Sequence, residues 1–163
     1  LGARSFNEVI PQDLALLPKS LAIEVWHQSG DKNLEIAQKN YKERGVEAKI
    51  MPFISDMSSA YQWADLVICR SGALTVSEIA TIGLAAIFIP YPFHKDDQQA
   101  YNARFLVDAH AAMMVREKDF TPETIANLLE QLASSRQNLL VMAEKGRALR
   151  QVDAVEKVMK VFS

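Results

Sequence analysis

The sequence predicts an α/β domain on a doubly wound, mainly parallel sheet, and three observations carry that expectation. Along its 163 residues the apolar positions switch repeatedly between a helical and a strand-like period, the pattern of strands separated by helices. The length allows one full core and leaves little room for a second, since a domain runs to about 100–200 residues. The run Leu66-Val67-Ile68-Cys69 is continuously apolar, as a strand covered on both faces must be.

The elements follow in order. Phe6, Val9, Ile10, Leu14 and Leu17 fit a first helix in which Pro11 is expected to make a kink. Residues 21–26 read as a strand leaving through Ser29-Gly30-Asp31, and residues 32–44 as a polar helix closed by Gly45. A short strand at 49–53 and a helix at 56–63 precede the apolar strand 66–69, which the pattern makes the most buried. A helix at 73–82, a strand at 85–89, a helix at 97–109 and a strand at 113–115 complete the alternation. Thr121-Pro122 is a helix start, a capping hydroxyl with proline at the first helical position. Two or three helices finish the chain, with breaks expected near Ser134-Ser135 and around Val152.

Composition narrows the function. With 18 Lys+Arg against 20 Asp+Glu, and no block of one sign, the balance disfavours a phosphate-tracking surface, so nucleic acid is not an expected partner. The single cysteine, Cys69, excludes an internal disulfide and a cysteine zinc cluster and suits a reducing compartment. No apolar run approaches the ~18–20 residues of a membrane span. The chain opens at Leu1-Gly2-Ala3-Arg4 without an initiator Met, which is expected of a piece of a longer protein.

In doubly wound sheets ligands bind in the loops at the carboxyl ends of the strands. The segment 70–78 passes from strand to helix through Gly72, so the N–H groups of Ala73, Leu74 and Thr75 are set to receive an anion at the helix start. Glu78 lies one turn deeper on the same face, where a carboxylate suits ribose hydroxyls rather than phosphate. Thr75-Val76-Ser77-Glu78 also fits a capping box, in which Glu78 only closes its own helix, and the segment alone leaves both readings open. Segment 91–99 offers Gln98 and Gln99 for sugar hydroxyls, with Asp96 or Asp97 as helix N-cap and His94 as a solvated side chain. Segment 53–57 exposes the Ile54 backbone, where a flat base can lie beside Met57 or Phe53; the plainer reading makes Ile54 and Met57 core and Asp56 a cap. His27 and His110 lack partners at metal spacing and read as structural.

Taken together, Trp26-His27-Gln28-Ser29-Gly30, segment 53–57, Ala64-Asp65, segment 69–78, and His94-Lys95-Asp96 with Gln98-Gln99 and Asn102-Ala103 resemble the carboxyl-terminal half of the MurG family. These are the bacterial N-acetylglucosaminyltransferases that complete the lipid-linked peptidoglycan precursor. The similarity runs from Leu1 almost to the end, and segment 69–78 is its most specific part. The resemblance implies one Rossmann-like half of a GT-B glycosyltransferase, with residues 1–163 as the domain that binds UDP-GlcNAc. It implies uracil contact at the Ile54 backbone with Met57 nearby, and a diphosphate and sugar loop at Ala73, Leu74, Thr75, Val76 and Ser77. It also implies ribose binding by Glu78 and GlcNAc recognition by Gln98, with Gln99 beside it.

The same resemblance implies an inverting transfer of GlcNAc to lipid I to give lipid II, without a metal or other cofactor. The lipid I site and the catalytic base would lie on an amino-terminal domain absent from this sequence. No catalytic residue is therefore expected here, and no activity of the chain alone. It implies peripheral attachment at the cytoplasmic face of the bacterial inner membrane, a part in cell shape and division, and a last helix that packs back on the other domain. Residues 1–4 look like the tail of the family's glycine-rich turn, without its phosphate-contacting serine, and Asp97 stands where many relatives carry a basic residue. Two other readings accompany this one. A UDP-GlcNAc 2-epimerase of GT-B type would need acid and base carboxylates that the chain does not offer. A non-catalytic sugar-nucleotide subunit would need a separate acceptor-binding chain.

Overall fold

The structure, a computed structural model, describes residues 3–162, with side chains through residue 149. The expected turn residues Leu1-Gly2 lie outside the described residues, as do the side chains with which the end of the last helix would meet another domain. The chain divides into two compact units: residues up to 60 with 118–134, and residues 61–117 with those from 135 on.

In the first unit, helix α1 (Arg4–Leu16) runs unbroken through Pro11. Proline there removes the N–H that would bond the Asn7 carbonyl. The Asn40 side chain of α2 (Leu34–Arg44) donates to that carbonyl instead, at 2.9 Å, so the helix keeps its course without an orphaned acceptor. Gly45 ends α2 in the left-handed region (φ 66°), its N–H returning to the carbonyls of Tyr41 and Lys42, as the sequence predicts. Strand β1 is Trp26–Gln28 and pairs in parallel with β2 (Lys49–Met51), His27 opposite Ile50. The strand expected at 21–26 thus lies later, because its pairing begins only where the Lys49 N–H reaches the Val25 carbonyl. Residues 22–24, apolar or not, stay exposed. Helix α6 (Pro122–Ala133) starts where expected, the Thr121 hydroxyl accepting from the Thr124 N–H, and buries Ile125, Ala126, Leu129 and Leu132. Phe120, just before it, packs on Phe6 of α1 with ring centroids 5.1 Å apart.

This unit encloses a polar knot. Asn7 donates to the Ser29 carbonyl at 3.0 Å, so its Oδ1 faces His27 Nε2 at 2.7 Å and makes that nitrogen the donor. Nδ1 then accepts from the Tyr41 hydroxyl at 2.6 Å. Burial lowers the His27 imidazole to about 4, in keeping with this neutral tautomer. Burial also raises the Asp13 carboxyl to about 8, and among the described residues neither of its oxygens has a partner.

Helix α3 (Met57–Trp63) carries the chain into the second unit. There β3 (Leu66–Cys69), β4 (Ala85–Phe88) and β5 (Ala112–Met114) form a parallel sheet in that order, with Ile68 opposite Ile87 and Ile87 opposite Met113. The fold is α/β with parallel strands as expected, the hydrogen bonds grouping the five strands as two sheets. Strand β4, not β3, is the innermost. It has a neighbour on either edge and all four of its residues are buried, whereas β3 is half-buried at the sheet margin. Helices α4 (Ala73–Ile82), α5 (Gln98–Val107) and α7 (Arg136–Phe162) cover this sheet. The break near Ser134-Ser135 is present, but α7 is one helix through Val152. Gly83 ends α4 at φ 74°, and a Cβ there would lie 2.2 Å from the Arg147 side chain of α7, so that position requires glycine.

Candidate functional site

Helix α4 begins without a side-chain cap. Gly72 occupies the N-cap position, and the first helical bond runs from the Val76 N–H to the Gly72 carbonyl at 3.0 Å. The N–H groups of Ala73, Leu74 and Thr75 precede that bond and have no acceptor inside the helix. Ala73 and Leu74 are exposed, Leu74 to 73%. The capping-box reading of Thr75–Glu78 does not hold, because the N-cap is Gly72 and Thr75 already lies inside the helix. Glu78 is half-buried one turn in, and among the described residues it takes no hydrogen bond or ion pair. Burial raises the Tyr61 hydroxyl to about 12, with smaller contributions from Cys69 and Glu78. Val76 is buried and Ser77 exposed, so of the expected loop residues Val76 serves the core through its side chain.

The segment after β4 is sewn to the start of α4. Gln99, 9% exposed, accepts through Oε1 from the Ser71 N–H at 3.2 Å and the Tyr91 N–H at 2.9 Å. The Ser71 hydroxyl donates to the Gln99 carbonyl at 2.7 Å. Asn102 donates to the Ser71 carbonyl at 3.1 Å, which leaves its Oδ1 to accept from Gln98 Nε2 at 3.0 Å. This ladder ties the exposed Gln98, through Asn102, to the Ser71 carbonyl that precedes Gly72. Gln99, expected beside the sugar, spends its carbonyl oxygen on the two loops.

Arg70 donates to the Ile89 carbonyl at 3.2 Å and to the Glu117 carboxylate, and its guanidinium lies 5.5 Å from the Tyr91 ring centre. Phe93 (81% exposed) and His94 pack on the same ring, at 5.5 and 4.8 Å between centroids. Asp97 stands at the N-cap of α5 but makes no cap bond. Its carboxylate takes two bonds from Arg116 Nη1, at 2.8 and 2.6 Å, and both Asp96 and Asp97 sit in the left-handed region at φ 60° and 53°. The Arg116 charge thus offsets that of Asp97.

In the first unit, segment 53–57 leaves the end of β2. Phe53 is exposed, while Ile54 and Met57 are half-buried. The Ile54 N–H is not free, as the sequence reading assumed: it donates to Oε1 of Gln28, the last residue of β1, at 2.9 Å. Asp56 is the helix cap of the plainer reading, bonded to the Ser59 N–H at 3.1 Å and its hydroxyl at 2.6 Å, which holds its carboxyl below the usual range. Among the described residues no three His, Cys, Asp or Glu side chains gather as a metal would need, and no helix is long and apolar enough to cross a membrane.

Residues 1–158 match the glycosyltransferase family 28 C-terminal domain. The chain belongs to that family. A relative from Marinobacter nauticus, a UDP-N-acetylglucosamine--N-acetylmuramyl-(pentapeptide) pyrophosphoryl-undecaprenol N-acetylglucosamine transferase, is 50% identical over 98% of this chain. A Coxiella burnetii protein of the same description is 49% identical over 97%. The crystal structure of Acinetobacter baumannii MurG superposes on 96% of the chain with a TM-score of 0.83 at 40% identity. The family 28 domain described here spans 44% of the length of those two curated relatives, and covers 49% of the solved MurG chain.

Proposed function

We propose that this family 28 domain binds UDP-GlcNAc as the donor half of an inverting N-acetylglucosaminyltransferase that converts lipid I to lipid II. The observation that carries the reading is the uncapped start of α4, with three main-chain donors beside a glycine and an uncommitted carboxylate one turn on. The Ala73, Leu74 and Thr75 amides receive the diphosphate and, as the UDP leaves, offset its growing charge from fixed positions, the helix dipole adding roughly 0.3–1 kcal/mol. In this reading the helix start does the work that a metal does elsewhere. Glu78 accepts the ribose hydroxyls, Gln98 the sugar, and the Ile54 carbonyl with Met57 takes the base. Catalytic base and lipid I site belong to a partner domain, and the assembled enzyme works peripherally at the cytoplasmic face of the inner membrane in peptidoglycan synthesis, cell shape and division.

The test is a titration of the chain with UDP-GlcNAc, UDP-galactose and NAD, following the amides of residues 54, 74, 75 and 98. Shifts of those amides that are strongest for UDP-GlcNAc are expected; indifference to all three sinks the reading. Glu78→Ala is expected to weaken UDP by about 1.5–3 kcal/mol in calorimetry, the scale of hydrogen bonds to a charged group. Unchanged affinity would make Glu78 a bystander. Gly72 has negative φ, and a Cβ there meets nothing within 4 Å. Gly72→Ala should therefore fold with stability unchanged or raised by roughly 0.4–1 kcal/mol, yet bind UDP more weakly as the methyl group meets the phosphates. A variant that binds UDP as well as the parent would place the diphosphate elsewhere.

A further inference from the structure

Just past the end of β5, two neighbouring residues of opposite sign each grip one segment of the candidate site. Glu117 takes the guanidinium of Arg70, two residues before Gly72, and Arg116 donates through Nη1 to both carboxylate oxygens of Asp97, one residue before Gln98. The second grip lands where the chain has little other support. Asp96 and Asp97 are both in the left-handed region, which residues with side chains keep only where their surroundings impose it. Helix α5 then starts without a side-chain cap, so its first turn, with Gln98 at the front, lacks the usual protection against fraying. The bond from Gln98 to Asn102 spans four residues and exists only while that turn is wound. Among the described residues, Arg116 supplies the hydrogen bonds and ion pair that reach residues 92–97 from outside that segment and its helix.

Resting on the donor reading above, we propose that Arg116 is a positioning residue for sugar recognition, acting through Asp97 rather than on the ligand. The ion pair clamps the left-handed turn, the turn keeps the start of α5 wound, and the wound start holds Gln98 where the sugar hydroxyls are read. Glu117 acts on the other segment through Arg70. One dipeptide thus holds the diphosphate turn and the sugar reader by separate ion pairs. A half-exposed pair such as Arg116 with Asp97 adds little to the stability of a whole domain, so its effect is local, on selectivity rather than on folding.

The full chain is titrated calorimetrically with UDP and with UDP-GlcNAc, and the ratio of the two affinities is compared among variants. Arg116→Leu should lower the affinity for UDP-GlcNAc relative to UDP by about tenfold, while UDP itself changes by less than about threefold. Both bonds to Asp97 come from a single nitrogen, so the ammonium of Arg116→Lys can make them and should restore most of the ratio. Glu117→Gln, which acts on the Gly72 side, should leave the ratio as it is in the parent. Unchanged thermal melts are the folding check. A parent blind to UDP overturns the donor reading and this inference with it, and a parent that binds UDP but gains nothing from the sugar overturns the role of Gln98 and this inference with it. Where the parent does prefer UDP-GlcNAc, an Arg116→Leu chain that keeps the ratio, or whose loss Arg116→Lys does not repair, overturns this inference alone. So does an Arg116→Leu chain that melts early and loses both ligands alike, since the pair would then be merely structural.

Discussion

Asp13→Asn is expected to change the pH dependence of stability by about 5 kcal/mol between pH 4 and pH 8, the value of a carboxyl moved from 3.8 to about 8. Burial without a partner holds the Asp13 proton in the folded chain, while the unfolded chain releases it near 3.8. The resulting stability is full below 3.8 and is lost as pH rises to about 8. His27 acts in the opposite sense. Its folded value of about 4 lies below the unfolded 6.5, so its contribution is present above 6.5 and lost as pH falls towards 4. Between pH 4 and 6.5 the two slopes cancel. From 6.5 to 8 Asp13 acts alone, and the parent should lose about 2 kcal/mol. In Asp13→Asn the histidine limb is uncovered: stability should climb by about 3 kcal/mol from pH 4 to 6.5 and then level. Urea denaturation at the three pH values measures this. Parallel curves for parent and variant would mean that Asp13 ionises normally in the folded state.

That pair of residues marks the boundary of what the sequence made legible. Periodicity identified the strands and helices, and local chemistry placed Gly45 and Thr121-Pro122 at the right ends, because caps and turns depend on a few neighbouring residues. It failed where the deciding partner is distant in the chain. The apolar run 21–26 resembles a strand, yet β1 is where β2 supplies hydrogen bonds. Strand β3 is as apolar as β4, yet sheet order alone makes β4 the centre. Asp97 has a capping residue's identity and position, but Arg116 claims its carboxylate from 19 residues away. Gln28, quoted only as part of a family motif, ends β1 and takes the Ile54 N–H from 26 residues away.

Gln98 and Gln99 sharpen the same point, since adjacent identical side chains should fail in opposite ways. Gln99→Leu leaves the Ser71 and Tyr91 N–H groups without their acceptor at a nearly buried position. At about 1–3 kcal/mol for each unpaired donor, the expected loss is roughly 2–5 kcal/mol of stability. The Gly72 turn and the segment after β4 should lose their common anchor, so UDP and UDP-GlcNAc weaken together. Gln98→Leu alters an exposed residue whose one bond is to Asn102, and should change stability by less than about 0.5 kcal/mol. Its effect belongs to the ligand. Nε2 is held by Asn102, so Oε1 is the atom offered to a sugar hydroxyl, and its loss should erase the preference for UDP-GlcNAc over UDP while sparing UDP itself. Thermal melts and paired titrations separate the two. A Gln99→Leu chain of full stability that has lost only sugar selectivity would return Gln99 to the sugar. A Gln98→Leu chain that keeps its preference would leave the GlcNAc ring without a recognised contact on α5.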